Sequence, residues 1–214
     1  MKKIITILFL FTFVLMPFAA PADAHLLITE VAVASGTGEW VEIYNPTSSE
    51  VDLSNVYLTD ATYAGGGNYY YNIVTGSNYG GGDFWDFHAK FPEGATIAAG
   101  QYLVVAFEGS VFAAKYGFDP DYELYDTGNA APEMEEAVSG SINDQGGLTD
   151  SAEGVILYSW DGVSDKVMDL DYFVYGDKDE GVDKTGIITD GTVSNTVPGN
   201  YLADTAIASQ TSPT

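Results

Sequence analysis

Between residues 26 and 60 the chain alternates short apolar runs with turn signals, and that punctuation restricts what it can fold into. LLITEVAV (26–33) is followed by EWVEIYN (39–45), which ends in the turn signal Asn45-Pro46-Thr47-Ser48-Ser49. VDLSNVYLTD (51–60) comes next. Short strands at this spacing point to an all-β sandwich or barrel. In the first run Leu26 and Ile28 share one face, while Leu27, Val31 and Val33 share the other with Thr29 between them. Both faces are largely apolar, as in a strand within a packed sandwich. In the second run Val41 and Ile43 are expected to face the core. Trp40 and Tyr44 lie on the opposite side, where they either pack under a loop or lie exposed.

Residues 61–94 change character. ATYAGGGNYYYNIVTGSNYGGGDFWDFHAKFPEG is rich in Gly, Tyr and Asn and reads as a long loop or a pair of short hairpins inserted between sandwich strands. Long insertions of this kind are often functional. Its rings can form either a private mini-core or a stacking platform for a sugar or polymer. Tyr69, Tyr70, Tyr71 and Trp85 are the candidate ligand-binding residues of that platform. Regular structure then resumes. A strand is expected over 102–107 and a helix over 110–116 that stops at Gly117. A second short helix is expected over 133–138. A strand over 154–160 leads through the Asp161-Gly162 turn into a return strand over 163–175. In that return strand Met168, Leu170, Tyr172 and Val174 alternate with Asp169, Asp171, Phe173 and Tyr175. The last residues, 204–214, read as a flexible tail.

Three blocks carry a resemblance. They are Ile28-Thr29-Glu30-Val31, then EWVEIYNPT (39–47), then VDLSNVYLTD (51–60). In this order they resemble the opening of a bacterial lamin tail domain. FHAKFPEGATIAAGQYLVVA (87–106), FAAKYG (112–117) and DYEL (121–124) are similar to the middle of such proteins, and GLTDSAEGVILYSWDG (147–162) and YLADT (201–205) extend the match. The resemblance implies an immunoglobulin-like β-sandwich spanning 25–203, with the insertion at 61–94 and one or two short helices. It implies no particular reaction. Its Glu30 and Glu42 belong to the strand motif.

Residues 1–24 read as an export signal: Lys2 and Lys3, an uncharged apolar run over 4–16, Pro17, and a small-x-small site at Ala22-Asp23-Ala24. The apolar run falls short of the roughly 20 residues that a membrane span needs. The expected mature chain starts at His25, is exported to the periplasm or beyond, and carries no membrane span. The sequence has no cysteine, which excludes disulfides, thiol catalysis and thiolate metal sites. It has 31 acids against 7 basic residues, all of them lysine. Removing Lys2, Lys3 and Asp23 with the leader leaves 30 acids against 5 lysines, a net charge of −25. Nucleic acid is excluded as a partner on that balance, since phosphate contacts need Lys and Arg.

Asp177, Asp179 and Asp183 are the candidate metal ligands, because oxygens spaced around a glycine turn can wrap calcium. The run departs from a calcium loop: Gly181 takes a ligand position and no bidentate Glu follows. A solvated acidic turn is the plainer reading. Asp161, Asp165, Asp169 and Asp171 form a second acidic set that reads as a polar strand face. His25 and His88, the only histidines, offer a copper pair on paper. Glu30, Glu39 and Glu42 suit structural hydrogen bonding better than hydrolysis. No nucleophile elbow or phosphate-cradling glycine loop is present. The leading expectation is therefore a non-enzymatic exported module that binds a protein or surface polymer and needs no cofactor. A secreted carbohydrate-active enzyme working through carboxylates near the aromatic insertion is the alternative. A calcium-dependent structural matrix component is the third.

Overall fold

The computed structural model describes residues 26–33, 38–63, 67–82, 86–142 and 147–176, together with 182, 184, 188–189 and 199–200. Two sheets face each other. The first has the order β1-β2-β9-β10, formed by β1 (Leu27–Ala32), β2 (Trp40–Tyr44), β9 (Tyr102–Glu108) and β10 (Tyr122–Tyr125). Its pairs are antiparallel except for β9 and β10, which run parallel. The second has the order β11-β7-β4-β12-β13 and is antiparallel throughout. Its strands are β4 (Val56–Thr59), β7 (His88–Lys90), β11 (Glu135–Glu136), β12 (Glu153–Ser159) and β13 (Met168–Tyr175). Short pairs complete the set: β3 (Val51–Asp52) with β8 (Thr96–Ile97), β5 (Thr62–Tyr63) with β6 (Asn68–Tyr69), and β14 (Ile188–Thr189) with β15 (Gly199–Asn200).

Alternation decides which side chains meet between the sheets. Val41, Ile43, Leu103, Val105 and Phe107 point in from the first sheet. Val56, Leu58, Ala89, Val155 and Leu157 meet them from the second. The residues between these on β4 and β12 point the other way, and Tyr57, Ile156 and Tyr158 are buried there too. The insertion covers them. Its hairpin β5–β6 leads into a 3-10 helix over Tyr70–Thr75, and Tyr70, Tyr71, Ile73 and Val74 close over the outer face of the five-stranded sheet. The domain thus has a third layer. Each large apolar side chain covered this way contributes roughly 1.5–3 kcal/mol.

Two bulges rephase strands whose sequence reads as plain alternation. The register of β1 on β2 shifts between Ile28 and Glu30. The shift lets Val31 and Val33 pack on the same core as Leu26 and Ile28, although the simple pattern puts them on opposite faces. On β13 the partner of Leu157 is Asp171 while that of Tyr158 is Asp169. Leu170, Phe173 and Tyr175 consequently serve the main core, and Tyr172 sits under the insertion.

Three expectations need correction. The helix over 133–138 is absent: Glu135–Glu136 is an edge strand on Ala89 and Lys90. Met134 is drawn into the core and its N–H donates to the Glu123 carbonyl, so packing and neighbouring strands override a helix-favouring composition. The return strand begins only at Met168, because Asp161 accepts hydrogen bonds from the Val163 and Ser164 amides and holds a wider turn. The insertion closes before residue 94, since His88–Lys90 is an interior strand of the sheet and Phe91 is core. The helix expected over 110–116 is present as α1 (Gly109–Tyr116), stopped by Gly117 in the left-handed region. At its start the buried Glu123 carboxylate accepts the Gly109 N–H at 3.1 Å.

Candidate functional site

The candidate tyrosines of the insertion divide by burial. Tyr70 and Tyr71 are buried, and Tyr69 is half-buried with its ring stacked on Tyr71 at 5.2 Å. Tyr70 packs on Tyr158 at 5.2 Å, and Tyr158 stacks on Tyr57 at 4.8 Å. These rings form a mini-core rather than an open platform. Trp85 lies outside the described residues. Glycine makes the close approach possible: a Cβ on Gly81 would sit 2.6 Å from the His88 Cβ, and Gly81 holds a φ of 88°.

A chain of polar groups runs beneath this layer. His88 is fully buried, its Nδ1 is 3.1 Å from the Tyr79 carbonyl and its Nε2 is 2.5 Å from the Tyr158 hydroxyl. A carbonyl only accepts, so Nδ1 carries the proton and Nε2 accepts from Tyr158. Burial pushes the imidazole down to about 4, and it stays neutral. Both nitrogens are engaged within the fold, which removes His88 from the copper pair; His25 lies outside the described residues. Further along, the Tyr70 hydroxyl donates to the carboxylate of Asp169 at 2.9 Å. Lys184 contacts Asp169 and lies 3.0 Å from the Tyr70 hydroxyl. Burial raises Tyr57 and Tyr71 to about 12.

The acids are dispersed among structural tasks. Asp171 accepts the Ile28 N–H at 2.7 Å and ties β13 to β1 across the sandwich edge. Glu39 accepts the Leu148 N–H at 2.9 Å, and burial raises its pKa. Glu42 accepts the Thr29 hydroxyl at 2.7 Å, while Glu30 pairs in register with Glu42. Asp60 is buried, accepts the Phe87 N–H at 2.7 Å, and is pushed well above the usual carboxylate range by burial and by Asp86 and Glu153. Among the described residues no group of three or more His, Asp or Glu is placed to hold a metal ion. Asp177, Asp179 and Asp183 lie outside the described residues.

The outer face of the four-stranded sheet presents a different aromatic pair. Tyr44 and Tyr102 are directly opposed across β2 and β9, and their rings stack at 4.5 Å with 26° between planes. Tyr102 is 57% exposed, the open end of a row that starts at Trp40. The Trp40 end is covered by α1, where Phe112 and Tyr116 meet its ring edge-on at 6.3 and 6.1 Å. Residues 40–44 place Trp40, Glu42 and Tyr44 opposite the core-facing Val41 and Ile43, so the sequence allowed an exposed Tyr44. It did not single out Tyr102, whose partner is set by register.

Among the described residues no helix is long and apolar enough to cross a membrane. No curated protein matches the chain. A solved structure described as a DUF4876 family protein from Bacteroides thetaiotaomicron VPI-5482 shares 16% identity with it, with a TM-score of 0.49. That similarity covers 72% of this chain and 54% of the other, so the chain spans about half the length of that protein. The profile of the Lamin Tail Domain matches residues 19–172, well over half of the sequence. Such domains are immunoglobulin-like sandwiches, in keeping with the two facing sheets, and are in general not enzymes. The chain belongs to the lamin tail domain family.

Proposed function

We propose that the protein is an exported, non-enzymatic binding module that holds a protein or polymer at the cell surface or in the extracellular matrix. The observation that carries this reading is the stacked Tyr44–Tyr102 pair on the outer face of the four-stranded sheet. Stacked aromatic faces bind sugar rings and apolar side chains with little entropy to lose, because their rotamers are already fixed. The formal charge of −24 favours neutral or basic partners over anionic ones. Tyr70 and Tyr71, buried in the insertion, support the rigidity of the module rather than contact with a ligand. Export rests on the leader-like residues 1–24.

The test is retention of the expected mature chain, residues 25–214, on isolated cell envelope, matrix polysaccharide and secreted protein in parallel. Binding to one of these fractions is expected, with Tyr102→Ala weakening it about tenfold or more, as for a contact worth at least ~1.4 kcal/mol. No retention on any fraction would remove the reading.

A further inference from the structure

We propose that Lys184 and Asp169 are a modification site: their side chains condense into an amide between Lys184 Nζ and Asp169 Cγ. The inference goes beyond the binding role and does not depend on it.

The geometry brings three reacting groups together. The bulge in β13 places Asp169 opposite Tyr158 and lets its carboxylate meet the insertion. Tyr70, fully buried, donates to that carboxylate, and Lys184 Nζ touches the same carboxylate while lying 3.0 Å from the Tyr70 hydroxyl. The Lys184 side chain is 7% exposed and that of Asp169 is 30% exposed. The amine is therefore enclosed, while the carboxyl keeps a side open through which water can leave.

Stability alone is a poor reason for this arrangement. The expected mature chain has 5 lysines among its 190 residues, and one of them, Lys184, is buried against the Tyr70 ring. A buried ion pair is often no better than apolar residues of the same volume, because desolvation offsets the attraction. An amide removes both charges and leaves a neutral polar group.

The chemistry needs nothing that the site lacks. A proton passes from the Lys184 ammonium to the Asp169 carboxylate, giving an amine and a carboxylic acid. The amine attacks Cγ, and the Tyr70 hydroxyl, bonded to the carboxyl, stabilises the negative oxygen of the tetrahedral carbon. A second proton moves from nitrogen to the departing hydroxyl, with Tyr70 placed to relay it. One N–C bond forms, one C–O bond breaks, and one water leaves; no oxidation or reduction occurs. Holding the reactants in contact supplies an effective concentration on the order of 10⁵ M or more, which drives a condensation that free lysine and aspartate do not undergo. The product ties β13 to the chain beyond it in a protein that has no disulfide.

Intact-mass measurement of residues 25–214 tests this without any variant. The result expected is a mass one water below that of the sequence, with digestion yielding a branched peptide that joins the segment of Asp169 to that of Lys184. Lys184→Arg and Asp169→Ala should each restore the sequence mass, and Tyr70→Phe should lower the cross-linked fraction. The full sequence mass in the wild-type chain, with the Lys184 amine open to acetylation after unfolding, would overturn the proposal. So would a missing water that maps to any other residues or survives in Lys184→Arg.

Discussion

His88 should make the domain acid-sensitive by a definite amount. Its imidazole is buried, neutral and hydrogen-bonded through both nitrogens, with the folded value near 4 against an ordinary 6.5. In that window the unfolded chain binds a proton that the folded chain refuses. The stability owed to a neutral His88 is therefore complete above pH 6.5 and is lost as the pH falls toward 4. A shift of this size corresponds to about 3 kcal/mol, a large part of the total for a domain of this length. The assay is urea unfolding of residues 25–214 at a series of pH values, for the wild-type chain and for His88→Gln. Subtracting one curve from the other cancels His25 and the acids common to both. The wild type should lose about 3 kcal/mol relative to the variant between neutral pH and pH 4. A difference curve that stays flat across the window would refute the assignment of His88 as a buried neutral base.

Asn45 locks the turn after β2: its two amide hydrogens are shared among the carbonyls of Ser49, Ile97 and Ala98, and its oxygen accepts the Thr47 N–H. Asn45→Ala should cost about 3 kcal/mol in chemical denaturation, roughly one for each of the two amide hydrogens and one for the accepted Thr47 N–H. Asp60 acts in the sense opposite to His88. Its raised pKa means that the folded chain holds a proton the unfolded one releases, so stability falls as the pH rises from the ordinary carboxylate range toward the raised value. Asp60→Asn keeps an acceptor for the Phe87 N–H and should flatten that slope in the same titration. Melting in EDTA and in millimolar calcium, with magnesium as control, should give coincident midpoints. A calcium-selective rise of several degrees would instead assign a cation to Asp177, Asp179 and Asp183.

Much of the sandwich was legible because its rules are local. Val41 and Ile43 alternate with Trp40, Glu42 and Tyr44, and the structure buries the first pair as expected. Asn45-Pro46-Thr47 is a turn because the asparagine satisfies the backbone around it, a property visible in the residue types. The bulges at Thr29 and Leu170 were not legible, since an extra residue is accommodated by the partner strand and leaves no composition signal. The segment around Glu135 reads as a helix in isolation and becomes a strand only because β7 presents an unpaired edge. The insertion offered two readings, mini-core or platform, and the choice lay in Tyr57, Ile156 and Tyr158, which bury their far face beneath it. Nothing in residues 169–184 announced that Lys184 would reach back to Asp169, because that contact depends on where the chain returns. Tyr102 was overlooked for a related reason: its pairing with Tyr44 is a matter of register between strands 58 positions apart.

The claim that the outer face of the four-stranded sheet is the binding surface is tested most directly by footprinting. Hydroxyl-radical labelling of residues 25–214, alone and saturated with the fraction that retains it, reads the exposure of each aromatic ring. The account predicts that Tyr102 and Tyr44 become protected while Tyr70 and Tyr71 are unreactive in both states. Unchanged labelling of Tyr102 with protection elsewhere on the domain would contradict it.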